Sequence, residues 1–418
     1  MDEFKTHFKN YVITFKALVK WLIISVMIGV CIGLISVIFY YGMDFVTSMR
    51  LSHPWLLFFL PAGGVAIVFL YRFLDDHYKV GTTLVLSAIH DEDEVPLRIT
   101  PLIILSTWIT HLFGGSAGRE GAALQIGGSL GDTFAHWLHM EDNDRRIFIM
   151  CGMAAAFSAL FGTPMAAAVF AIEVVSVGIM HYYALFPCII ASVTSREIAK
   201  FLGASAEQFF VTQIPPFNLY HGLRIIILAV LCTEIGVLFC MILHQSEKFF
   251  KTRFKNGYVR IIVGGIMIIL LTLVCGSGDY NGTGMNVIER CFYGEQVDHI
   301  AFILKILFTA ITLGCGFKGG EIVPSLFIGA TSGYLFASIL GFSSNISIAC
   351  GMIAVFCSVT NCPLASLLMA FEMFNIHGMQ YYLITVAVAF LMSGYHTLYQ
   401  SQLFAFSKTK GNPYRPKK

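Results

Sequence analysis

Apolar residues fall in long blocks separated by short polar breaks. From Trp21 to Gly42 the chain runs 22 residues without a charge, and about 20 such residues in a helix cross a hydrocarbon core of about 30 Å. This segment predicts a membrane-spanning helix. Its length and the lack of a small-residue cleavage site argue against a removable signal peptide. Long apolar stretches follow near 55 to 74, 225 to 244 and 259 to 275. Others, near 101 to 113, 122 to 138, 147 to 161, 163 to 179, 324 to 340, 346 to 359 and 380 to 393, are shorter and interrupted by glycine or proline. Helices of 12 to 17 residues cannot all cross a bilayer. Helix ends at depth are tolerated only where protein or a watery cavity covers them, so the interrupted pattern points to a transport pathway.

Composition agrees: 56% of the 418 residues are hydrophobic and 12% charged, against about 25% charged in soluble domains. An all-α membrane protein is expected, with 1–418 as a single membrane domain. Fewer than 20 polar residues follow the last apolar segment, which leaves no room for a cytoplasmic regulatory domain. Lys5, Lys9, Lys16 and Lys20 precede the first span, Lys248, Lys251, Arg253, Lys255 and Arg260 fill one loop, and Lys408, Lys410, Arg415, Lys417 and Lys418 close the chain. The positive-inside rule puts all three clusters, and so both termini, in the cytoplasm. Each cluster abuts an apolar run, so the lipid bilayer, and no nucleic acid, is the expected partner. The 11 cysteines form no CxxC pair and mostly sit in apolar runs, as buried hydrophobes and not a disulfide framework or metal site. HExxH, GxxxxGK[ST] and Rossmann glycine patterns are absent. Neither an enzyme nor a cofactor is expected.

Sliding the chain on itself reveals a repeat. Cys151 to Val175 aligns without gaps on Cys350 to Phe374 with nine identities in 25, among them Cys-Gly-Met, Pro164 with Pro363 and Glu173 with Glu372. Upstream, GREGA (Gly118 to Ala122) matches GEIVP (Gly320 to Pro324). The spacing gives two halves, roughly 15 to 205 and 220 to 405, joined by the linker around Ile214 to Phe217. Two copies of one unit place their broken ends at the repeat interface, near the membrane midplane.

Those breaks carry the candidate chemistry. Arg119 and Glu120 lie among Gly115, Gly118, Gly121, Gly127 and Gly128. Glycines let backbone N–H groups crowd an ion, and a helix N-terminus adds partial positive charge. A carboxylate at such a place can occupy the anion site when ionised and withdraw when protonated. The competing reading is a packing turn with a local Arg119–Glu120 ion pair. In the second copy, Gly319 and Gly320 free the N–H groups of Glu321 and Ile322 before a helix with Pro324 in its first turn. Glu321 beside an anion is unfavourable unless protonated part of the time; otherwise it pairs with Lys318. Glu173 and Glu372, at matching ends, favour a shared structural role at helix ends. Glu234 and Lys305 lie inside apolar stretches and are left without a role, subunit contacts or snorkelling being sufficient for both.

GREGA resembles the GREGP of the CLC family of anion channels and transporters, and GGEIVPSLFIGA, from Gly319, resembles its GGxFxP segment and following helix. The resemblance covers about residues 15 to 405. It implies a homodimer of independent pathways, each subunit an inverted repeat of many tilted, broken helices. Carried over by position, Glu120 matches the external gating glutamate. Gly121, Glu321 and Ile322 match positions whose N–H groups hold the anion. Val80 falls where chloride-type members carry the serine of GSGIP. Tyr399 in GYHTLYQSQ matches the central tyrosine, with Tyr395 the alternative.

Departures narrow the match. Ala122 replaces proline, Ile322 replaces phenylalanine, and GSGIP is missing; valine offers an ion no hydroxyl. These features, GFKGGE from Gly316 to Glu321 and TNCP from Thr360 to Pro363 resemble the family's fluoride-exporting branch. That branch usually carries methionine or asparagine at the Val80 position, and its glutamate at the Glu321 position serves the proton route. The resemblance implies a bacterial inner-membrane antiporter that exports fluoride against protons. A chloride/proton antiporter or chloride channel of the same fold is the first alternative. A scaffold or cation-coupled transporter that merely shares glycine-broken helices is the second.

Overall fold

The structure, a computed structural model, describes residues 2–74, 81–90, 93–212 and 214–414. Their order is α1 Asp2–Ser52, α2 Leu60–Leu74, α3 Thr82–His90, α4 Ile99–Leu112, α5 Glu120–Trp137, α6 Asp142–Phe161, α7 Pro164–Glu173 and α8 Leu185–Phe201, then α9 Leu219–Arg253, α10 Gly257–Cys275, α11 Met285–Tyr293, α12 Ala301–Cys315, α13 Ile322–Leu340, α14 Ser344–Thr360, α15 Pro363–Phe374 and α16 Met379–Met392. Among the described residues, five stretches are long and apolar enough to cross a membrane: Thr6–Ser52, Pro54–Leu74, α9, α10 and α13. The outer faces of α1, α2 and α10 expose Phe45, Phe69, Phe73, Leu270 and Leu273, side chains that only lipid solvates favourably.

The matched segments fold alike. α6 ends on Gly162 (φ 76°) and α14 on Asn361 (φ 57°), both left-handed. Each is followed by one extended residue and a proline that opens the next short helix. Within each half two helices meet on glycine: a Cβ on Gly127 would strike the carbonyl of Gly152, and one on Gly329 would lie 2.5 Å from that of Gly351. Small residues allow such backbone contact between membrane helices.

The halves are locked through α7 and α15, which run antiparallel. Glu173, closing α7, accepts the N–H groups of Leu364 (3.1 Å) and Ala365 (2.8 Å) at the start of α15. Glu372, near the end of α15, accepts those of Met165 (3.0 Å) and Ala166 (2.8 Å) at the start of α7. Each carboxylate thus caps the other half's helix, the structural role at helix ends expected of the pair. Glu173→Ala strands two buried N–H donors in an apolar interior. It is expected to remove about 1–3 kcal/mol, read as a lower thermal midpoint in detergent. Glu372→Ala acts in the same direction and less strongly, being more exposed; unchanged midpoints in both would refute this account of the interlock.

Two other charges are placed. Lys305 is buried and does not snorkel: its Nζ donates to the carbonyls of Tyr280 (3.2 Å) and Gly282 (2.8 Å), tying down a glycine-rich turn. Glu234 lies exposed on the outer face of α9. Beyond α16, Ser176–Val177 pairs in parallel with Leu403–Phe404. The Gln402 amide bridges the carbonyls of Val174 (2.9 Å) and Thr360 (2.8 Å). These contacts hold residues 397–404 against both halves and so position Tyr399.

Candidate anion site

The two glycine breaks touch. Gly118 N–H donates to Gly320 O at 2.6 Å and Gly320 N–H to Gly118 O at 2.7 Å, a two-residue antiparallel bridge. From that bridge the chain turns directly into α5 on one side and α13 on the other. First-turn N–H groups have no partner within their own helix. Those of Gly121 and Ile322 therefore face one region, with both helix dipoles positive toward it. α3 completes the convergence. A Cβ on Gly121 would lie 2.9 Å from Gly320 Cα, 3.2 Å from Glu321 Oε2 and 3.4 Å from the Thr82 hydroxyl.

Glu120 is completely buried. Its Oε2 accepts the backbone N–H of Arg119 at 2.9 Å, while its Oε1 has no hydrogen bond among the described residues. The carboxylate thus bends back over its own helix start. Arg119 Nε lies 3.6 Å from Oε1, too far for a hydrogen bond. The Arg119–Glu120 contact is therefore a local ion pair without a hydrogen bond, and the guanidinium makes its closer pair with Glu207.

Glu321 lies against Gly121 from the second half. It has no ion pair with Lys318 within 4.0 Å among the described residues; the Lys318 ammonium sits over the Tyr71 ring, 4.7 Å from its centre. Tyr399 is 1% exposed, its hydroxyl has no hydrogen-bond partner among the described residues, and Glu321 and Glu120 are both within electrostatic reach. Tyr395 differs: it is 36% exposed, its hydroxyl donates to Ser407 at 3.1 Å, and its ring stacks on Tyr414. Glu120, Gly121 and Glu321 thus meet at the bridge, Ile322 opens α13 beside it, Tyr399 lies within electrostatic reach of both carboxylates, and Tyr395 lies apart. Val80 falls outside the described residues; its neighbours Gly81 and Thr82 border the site.

A cavity of about 570 Å³ reaches from Glu321 to Lys251 in the last turn of α9, so the basic cluster read as one loop lies mostly on the ends of α9 and α10. Thr82, Gln125, His244, Glu247, Lys318 and Gln400 are among its lining residues. Gln125 spans one turn of α5, its amide nitrogen donating to Gly121 O at 3.1 Å. Apart from Lys318, these polar groups escaped the motif reading, as did Glu207. A lone acid in the apolar approach to the linker was the available signal for Glu207.

Broken helices that aim backbone donors at one buried point, with a polar cavity leading there, define a membrane transport protein for anions. The family model described as "Voltage gated chloride channel" matches residues 62–394, and the chain belongs to that family. It is 32% identical over 396 residues to a chloride/fluoride channel protein of Pseudomonas syringae pv. tomato, covering 93% of this chain and 87% of that one. Among solved structures, a CLC-type fluoride/proton antiporter superposes with a TM-score of 0.89 at 30% identity, covering 93% of this chain and 98% of that chain. A slow cyanobacterial Cl−/H+ antiporter superposes with a TM-score of 0.77 at 21% identity, covering 89% and 94%. The fold is the family's all-α arrangement of tilted and broken helices.

Proposed function

We propose that the protein exchanges fluoride for protons, exporting fluoride across the inner membrane of a bacterial cell as a homodimer of independent pathways. The repeat units are residues 15–205 and 220–405, both termini lie in the cytoplasm, and the protein catalyses no covalent chemistry. The observation that carries this reading is the Glu120 carboxylate lying on the Arg119 N–H at the start of α5. Ionised, it is a tethered rival of the anion; protonated, it loses its charge, releases the donors and swings away carrying a proton. Fluoride then takes up the N–H groups of Gly121 and Ile322, with the Tyr399 hydroxyl as a further donor. Glu321, between that point and the cavity, passes the proton inward. Fluoride is compact and strongly hydrated, so short donors must replace its water. Coupling lets the proton gradient expel fluoride that entered as neutral HF.

The names of the bacterial relative and of the fluoride/proton antiporter support fluoride. The relative's name also includes chloride, which keeps chloride exchange as the second reading. Purified protein in liposomes, loaded with either salt and monitored by fluoride, chloride and pH electrodes, separates the two. The expected result is fluoride efflux with proton uptake and chloride efflux at least tenfold slower. Equal rates for both anions, or fluoride flux with no proton movement, would overturn the proposal.

A further inference from the structure

The guanidinium of Arg119 stands between two carboxylates, and the proposed mechanism uses only one of them. Glu207 lies in the segment between α8 and α9, held by its own N–H on the carbonyl of Phe161 (3.2 Å) and by Phe209 N–H on the carbonyl of Met373 (2.9 Å). Its Oε1 takes Arg119 Nη2 in a close ion pair, and its Oε2 is buried without a partner. Arg119 is fixed from other directions as well. Nη2 reaches Leu160 O at 3.5 Å, and the guanidinium lies 5.3 Å from the centre of the Tyr40 ring, whose hydroxyl bonds Ser205 at 2.7 Å. Asp44 and Glu289 are the other acids within electrostatic reach of the pair. On the opposite side Glu120 Oε1 pairs more loosely with Arg119 Nε, at 3.6 Å, and has no hydrogen bond among the described residues.

We infer that Glu207 is a positioning residue of the gate: by holding Arg119 it keeps the loose 3.6 Å ion pair with Glu120 from closing to hydrogen-bond range, leaving that carboxylate free to move. A buried guanidinium with no other anion would turn its fork on the nearest carboxylate, and bidentate pairing is the strong form of such contacts. Glu120 would then be pinned at the helix start as a fixed blocker. The segment that links the halves therefore also sets how readily the gate opens. This inference rests on Glu120 being the gate.

A mutant cycle tests it, with fluoride flux in liposomes and fluoride affinity by calorimetry as readouts. A charge-assisted hydrogen bond gained by Glu120 shifts its release by roughly 10- to 100-fold. Glu207→Gln should lower both flux and affinity by about that factor in the native background, and Glu207→Asp, which keeps the charge, should recover most of the loss. With Glu120→Gln already in place there is no charged gate to pin, and the effect of Glu207→Gln on affinity should vanish. Equal losses in both backgrounds would make Glu207 a plain anchor of its segment and overturn the inference, as would native behaviour of Glu207→Gln. Failure of the gate itself is read separately, from proton coupling in Glu120→Gln alone.

Discussion

Glu120→Gln is expected to abolish proton counterflow, lowering it at least about 100-fold, a loss in the range set by removing an essential proton carrier. The substitution preserves shape and removes the charge that sits on the Arg119 N–H at the start of α5. Glutamine neither ionises nor takes up a proton in the accessible pH range. Two consequences separate this from simple damage. Fluoride should bind more tightly, by roughly 10- to 100-fold, because a charged competitor that accepts the Arg119 N–H at 2.9 Å no longer has to be displaced. Flux should also lose its pH dependence. In the native protein, lowering pH protonates Glu120, removes the rival charge and speeds exchange, and raising pH restores the block. Simultaneous fluoride and pH recordings on liposomes give both quantities, and proton flux that stays locked to fluoride flux in this variant would refute the gate.

The legible part of this protein was the part written twice. Cys-Gly-Met, the proline and the glutamate recur because each half needs the same helix stop, the same first-turn proline and the same cap. The glycine breaks recur because each must come within a hydrogen bond of the other. Which group each glutamate caps was not legible. Glu173 and Leu364 are 191 residues apart in sequence, and only the antiparallel crossing of α7 and α15 makes the caps reciprocal. Tyr399 and Tyr395 share one short motif; what separates them is the tether of residues 401–404 to the first half, a tertiary contact without local signature. The pairing of Glu321 with Lys318, plausible from adjacency, gave way to a cation–π contact with Tyr71 from α2. Glu207 gave only a faint signal for a similar reason: a single acid near a linker has no pattern of its own until Arg119 is seen to face it.

The geometry of the bridge predicts a loss as large as that of the gate from one added methyl group. A Cβ on Gly320 would lie 2.5 Å from Gly121 N, 3.0 Å from Glu120 N and 3.3 Å from Gly121 Cα. All three are backbone atoms that cannot rotate aside. Gly320→Ala therefore forces the two helix starts apart, at the expense of hydrogen bonds of 2.6 and 2.7 Å. Overpacking of this kind costs about 1–3 kcal/mol, which a chain interlocked through Glu173 and Glu372 survives. Function does not have that margin, since donors about 1 Å out of place can cost about 100-fold in rate. The expected outcome is folded protein, with elution in detergent unchanged, and fluoride flux reduced about 100-fold or more. Gly257→Ala is the control: its nearest neighbour would be a Val68 methyl at 3.6 Å, an ordinary contact, and flux should stay native. Native flux in Gly320→Ala would mean that the anion does not pass between these two helix starts, and the donors would have to be sought elsewhere along the cavity.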